Sequence, residues 1–155
     1  MIGEILYSRM VNEKCVDYAQ RLNVYTEIGH ALTLEDWRLL KQKNVYFNIT
    51  FSPGVTSPIE IDIPRGSQLI TLDFNTLTNY EPRQRVAILL HEIGHALAPG
   101  LVRQEGEFNA DDYAIGRGYA EDLLNSLNFA IENYPNEFDK PITRERIQRI
   151  QNLGL

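Results

Sequence analysis

Val86-Ala87-Ile88-Leu89-Leu90-His91-Glu92-Ile93-Gly94-His95-Ala96-Leu97 is the stretch on which the reading of this chain turns. An unbroken aliphatic run, Val86 to Leu90, leads straight into H-E-x-x-H. Pro82 precedes it in the first turn of a helix, where a missing N–H costs nothing. Pro99-Gly100 closes it. The pattern predicts one helix reaching about Ala98. Positions four apart on a helix share a face, one turn apart. His91 and His95 therefore present their imidazoles to one point, and Glu92 projects about 100° round from His91. Two ligands with a base beside them suit a zinc ion and the water it activates. Chance produces the pattern in roughly one such chain in two hundred. The plain alternative is a helix with two ordinary histidines.

The next segment favours the metal. Twelve residues after His95 comes Glu107, within Glu107-Phe108-Asn109-Ala110-Asp111. Two histidines and one carboxylate form a three-ligand set for catalytic zinc, with a fourth position open to water. Asp111 follows Glu107 by one helical turn and shares its face. A metal-binding histidine usually gives its other N–H to a carboxylate, a role open to Asp111 toward His91. Taken alone, Glu107 and Asp111 read as a solvated acidic face; beside H-E-x-x-H that reading falls to roughly one in ten. Gly94 weakens its helix by roughly 1 kcal/mol relative to Ala. Its missing side chain lets another backbone come close to the site.

H-E-x-x-H followed by E-x-x-A-D resembles the signature of the gluzincin metallopeptidases. The likeness is greatest to the integral-membrane CAAX-prenyl protease and heat-shock protease family and to the small soluble minigluzincins. It runs residue by residue through His91, Glu92, His95, Glu107, Ala110 and Asp111. That family often carries H-P, four residues, then R-I. Here Lys140-Pro141 precedes Arg146-Ile147 by the same interval, so Arg146 matches and Lys140 stands where a histidine is expected. The stretch is also similar to the anti-repressor peptidases of mobile elements. The resemblance spans about residues 68–150 and leaves 1–43 without a motif. It implies one zinc ion on His91, His95 and Glu107, Asp111 supporting His91, and Glu92 as general base in the hydrolysis of a peptide or protein substrate. It makes Arg146 a candidate donor to the oxyanion, with Tyr113 and Tyr119 as further candidates. The rival expectation is a zincin-like regulator of anti-repressor type that binds zinc or a partner without cleaving anything. An intact Glu92 speaks against it, since a pure binding site needs no base there.

The whole chain sets the frame. Its 155 residues are read as a single domain large enough for a core. A hydrophobic fraction of 43% and a charged fraction of 23% are ordinary for a soluble protein. A formal charge of -6 argues against a nucleic-acid partner. Val86 to Leu90 falls far short of a membrane span. Met1-Ile2-Gly3-Glu4 lacks the basic region of a signal peptide. Cys15, the single cysteine, has no internal disulfide partner and reads as a buried, inert thiol. Together these place the expected location in the cytoplasm.

Hydrophobic period assigns the elements. Ser8 to Leu22 carries Met10, Val11, Cys15, Val16, Ala19 and Leu22 at helical spacing. Thr33 to Lys43 reads as a second helix, with Thr33 as N-cap and Asp36 three residues on in a shortened capping box. These make residues 1–43 a helical segment of unassigned role. Val45, Phe47, Ile49 and Phe51 then alternate with polar residues as a strand, ended by Ser52-Pro53-Gly54. Ile59, Ile61 and Ile63, between Pro58 and Pro64, suit an edge strand to which an extended substrate peptide adds. Leu69 to Phe74 is more apolar and reads as the strand inside the sheet. Helices come next at Gln104–Ile115, at Ala120–Glu132 and, after a loop, at Thr143–Asn152, which is basic at Arg144, Arg146 and Arg149. The expected fold is α+β and zincin-like: a small antiparallel sheet of about three strands packed on an active-site helix and a glutamate helix. Glu27 to Leu32 repeats Glu92 to Leu97 letter for letter. Thr26 stands where a second motif needs histidine, so His30 is read as structural.

Overall fold

A strand β1 (Val45–Thr50) pairs with β2 (Gln68–Asp73), and the pairing is parallel, from Val45 opposite Gln68 to Thr50 opposite Asp73. The computed structural model describes residues 6–52 and 58–155, and among these the sheet has two strands. The expected antiparallel sheet of about three strands is thereby corrected. Segment 51–67 supplies the reason. Parallel strands need a crossover of a dozen or more residues, and this segment is that crossover. Residues 58–64, expected as an edge strand, form no strand. A proline at each end removes ladder donors, and the Glu60 N–H leaves the segment to meet the Val11 carbonyl at 2.7 Å. Pro53 and Gly54, expected to end the first strand, lie outside the described residues, as does the Met1 to Glu4 start.

Burial also differs from the reading that put the second of these strands inside the sheet. Residues 9–11 lie against the other side of β1, with Phe47 N–H on the Arg9 carbonyl at 2.8 Å and Val11 N–H on the Phe47 carbonyl at 3.0 Å. β1 is therefore buried nearly throughout. β2 alternates, Ile70 and Leu72 buried, Leu69 and Thr71 exposed. This is the burial of a strand covered on one face.

Helix α1 (Glu13–Leu22) starts later than the period suggests. Asn12 caps it, its Oδ1 accepting the Cys15 N–H at 2.9 Å, and the preceding residues are drawn into the bridge to Phe47. The Cys15 thiol is buried and accepts the Ile49 N–H at 3.2 Å. Helix α2 (Tyr25–Ala31) holds most of the repeated letters, and its His30 is exposed. Helix α3 (Leu34–Gln42) opens with the expected capping box, Thr33 N–H to Asp36 Oδ2 at 2.8 Å and Asp36 N–H to Thr33 Oγ1 at 3.2 Å. A short α4 (Phe74–Thr78) comes after β2.

The chain divides into two compact units, the first ending at Arg85 and the second running from Val86 to Leu155. In the second, α5 (Pro82–Leu97) continues from the boundary and is followed by α6 (Arg103–Ile115), α7 (Ala120–Asn133), α8 (Pro135–Phe138) and α9 (Pro141–Gln151). The expected loop before the last helix thus contains the single turn α8, and Pro141 opens α9, where its fixed φ suits a helix start. α6, α7 and α9 pack pairwise and bury Ala110, Ala114, Leu123, Leu127, Ala130 and Ile150. No helix among the described residues is long and apolar enough to cross a membrane.

Candidate metal centre

His91 and His95 sit one turn apart on α5, and their Nε2 atoms are 3.1 Å apart. Their rings meet edge to face at 88°. Glu107 enters from α6, Oε2 at 3.4 Å from His91 Nε2 and Oε1 at 3.5 Å from His95 Nε2. Ligand atoms of the three residues all lie within 4.8 Å of one another. Glu105, two residues earlier, is exposed, so the helical phase turns Glu107 inward.

Asp111 fixes the tautomer. Its Oδ1 lies 2.8 Å from His91 Nδ1, and its side chain is fully buried. A carboxylate accepts, so Nδ1 carries the hydrogen and His91 Nε2 keeps its lone pair. That lone pair faces His95 and the oxygens of Glu107. Acceptors turned toward one point are satisfied by a cation between them. Ligands at about 2.0–2.2 Å around a tetrahedral ion are about 3.4 Å from one another, and the three edges here are 3.1, 3.4 and 3.5 Å. Two imidazoles and a carboxylate match the donor preference of zinc. The residues fit a zinc ion.

Arg146 on α9 braces the back of the site. Its Nε donates to Asp111 Oδ2 at 2.9 Å and its Nη2 to Asp111 Oδ1 at 2.7 Å, the bidentate fork of a strong arginine–carboxylate pair. Its Nη1 lies 3.0 Å from Glu107 Oε2. One guanidinium thus holds both carboxylates. These contacts set the ionisation. When His91 carries a second proton in place of an ion, its Nε2–H and then His95 bond to Glu107, and with the charge of Arg146 they hold the Glu107 carboxyl well below the usual carboxylate range against its partial burial. Burial pushes Asp111 up, but hydrogen bonds from His91 and Arg146 outweigh it and its pKa is lowered. Burial pulls His91 down, yet hydrogen bonds to Asp111 and Glu107 prevail and raise it.

Exposure is uneven across the site. The His91 side chain is 9% exposed and Asp111 0%, whereas His95 is 31% and Glu107 30% exposed. Glu92 is half-buried on α5 beside His91, and its carboxylate has no partner among the described residues. Tyr119 is buried, and Tyr113 lies beneath the Arg117 guanidinium, 3.4 Å from its ring centroid. Lys140 is exposed at the start of α9. The structure therefore gathers His91, His95, Glu107, Asp111 and Arg146, with Glu92 adjacent on the helix.

Sequence reasoning missed two further links from α9 to α6. Arg149 Nη2 donates to Asp112 Oδ1 at 2.6 Å, with its guanidinium over the Phe108 ring, and Gln104 donates to Glu145. The signal that could have found them was the repeat of Arg146 and Arg149 at helical spacing opposite the pair Asp111-Asp112. No family model, no curated protein and no solved structure matches the chain.

Proposed function

We propose that this chain is a zinc-dependent metallopeptidase of gluzincin type, with a zincin-like arrangement of its site helices. One observation carries the reading: ligand atoms of His91, His95 and Glu107 converge within 4.8 Å, with Glu92 the very next residue after His91. A zinc ion on those three residues supplies Lewis acidity to a water and to the scissile carbonyl. Glu92, unpartnered, takes a proton from the water as its oxygen attacks the carbonyl carbon. It then passes that proton to the amine as the C–N bond breaks. Asp111 keeps His91 in the tautomer that offers Nε2, and Arg146 holds Asp111 and Glu107 in place. In this reading Arg146 is a positioning residue, since Nε, Nη1 and Nη2 all face carboxylates. The exposed side at His95 and Glu107 admits a peptide or protein substrate.

The test is cleavage of a mixed peptide library by the metal-free protein, by the protein with zinc, and by the protein with a chelator. Cleavage that appears with zinc and disappears with the chelator supports the assignment. Tight zinc binding without cleavage of any peptide would replace it with a binding role of anti-repressor type.

A further inference from the structure

Gly94 occupies a position that no side chain can share unless the facing helix moves. A Cβ there would stand 2.8 Å from the Ala110 Cα, 3.0 Å from the Tyr113 Cβ and 3.2 Å from the Ala110 carbonyl oxygen, where ordinary contact begins at 3.4 Å. Two of the three obstacles are backbone atoms of α6, so no side-chain rotation relieves them. The contact falls at the level of the ligands. Gly94 directly precedes His95, and Ala110 lies between Glu107 and Asp111 on the inner face of α6. The edges of the ligand triangle differ in origin. The His91–His95 edge of 3.1 Å lies within α5. The His91–Glu107 and His95–Glu107 edges of 3.4 and 3.5 Å cross from α5 to α6. Helix spacing sets two edges and leaves the third alone.

We propose that Gly94 is the positioning residue that sets which size of divalent ion the site accepts. The proposal rests on the metal reading above. By letting α6 come within backbone contact, Gly94 keeps both cross-helix edges short, as a small tetrahedral ion such as zinc requires. A methyl group at 94 drives the two helices apart by about 0.6 Å, the shortfall between 2.8 Å and ordinary contact. Both edges to Glu107 lengthen and the His91–His95 edge does not. The widened set suits a larger divalent ion with longer bonds, and cadmium is the probe. Helix propensity acts in the opposite direction, because alanine is the better helix former. Any loss in the variant therefore comes from the α5–α6 contact.

The experiment is competitive titration of the metal-free full chain, wild type and Gly94→Ala, with zinc and with cadmium against a chromophoric chelator. The visible bands of the cobalt-loaded proteins report coordination geometry. Gly94→Ala is expected to lose about tenfold in zinc affinity, the scale on which support of metal ligands acts. Cadmium affinity changes little, so the cadmium-to-zinc ratio rises about tenfold and the cobalt bands shift. Equal ratios and equal cobalt spectra in the two proteins would overturn the proposal and leave the metal reading standing. A wild type that binds neither ion overturns both. Where Gly94→Ala fails to fold, Glu107→Asp withdraws the carboxylate from both histidines by one methylene with the Gly94 contact intact. An unchanged cadmium-to-zinc ratio in that variant also overturns the proposal.

Discussion

Glu92 and Asp111 are carboxylates of neighbouring positions in the fold with different surroundings, and the proposed peptidase reading gives them different tasks. Glu92 has no partner among the described residues and is free to move a proton. Asp111 is fully buried and bound to His91 and Arg146 and is free to do nothing else. Glu92→Gln keeps size and removes basicity, so turnover is expected to fall by about 10² to 10⁴, the usual worth of a general base. Zinc affinity, measured by titration, should stay near the wild-type value; full activity in this variant moves the base to another residue. Asp111→Ala removes the acceptor for His91 Nδ1–H and frees the ring to turn. Zinc affinity or activity should drop by about ten- to a hundredfold. Unchanged affinity and activity would reduce Asp111 to a structural partner of Arg146. At this scale the sequence was most informative. H-E-x-x-H marks His91 and His95, and E-x-x-A-D marks Glu107 and Asp111, because helical period alone brings residues four apart to one face.

Among the elements, α9 has the most to say about the site although it supplies no ligand. Its interior contribution is small, Thr143 and Ile150 being its buried residues, and its polar links to α6 are many. Arg146 is 11% exposed and Asp111 0%, so removing one partner strands a buried charge. Such a loss costs about 3–5 kcal/mol. Arg146→Ala should therefore lower the urea midpoint and weaken zinc binding together. Arg146→Lys should recover little, because an ammonium cannot make the two parallel bonds to Asp111. Full recovery by lysine in the same urea and zinc titrations would show that charge alone matters there. The helices Leu34–Gln42 and Pro82–Leu97 were legible because their ends carry local chemistry, Thr33 with Asp36 and Pro82, whereas the short helices Tyr25–Ala31 and Phe74–Thr78 were not. The strands were not. Alternation reports which residues face a core, and it is silent on partner and direction. Hence Pro58 to Pro64 mimicked an edge strand, and β2, read as the strand inside the sheet, is buried on one face only.

For the whole molecule, zinc is expected to act as a folding ligand as well as a cofactor. An ion that binds only the native site stabilises it by about 2.7 kcal/mol when free ligand stands a hundredfold above Kd. The thermal midpoint should rise with zinc, and amide exchange should slow in α5, α6 and α9, whose residues His91, His95, Glu107 and Arg146 form the site. Identical melting curves and exchange rates with and without zinc would mean that these side chains hold no ion. The sequence by itself determined the features that local spacing dictates: the helix that carries His91 and His95, the helix of Glu107 one short loop later, the Thr33 cap, and the identity of the converging residues. Only the tertiary structure decided the features that depend on chain segments far apart in sequence. The sheet is parallel, with β1 and β2 joined through a long connection whose described residues 58–67 form no strand. β1 is interior because residues 9–11 lie against its outer side. Arg146 reaches Asp111 and Glu107 because α9 packs on α6. Period and propensity are properties of neighbours along the chain, whereas pairing direction, burial of a strand and the reach of an arginine are set by which distant surfaces exclude water together.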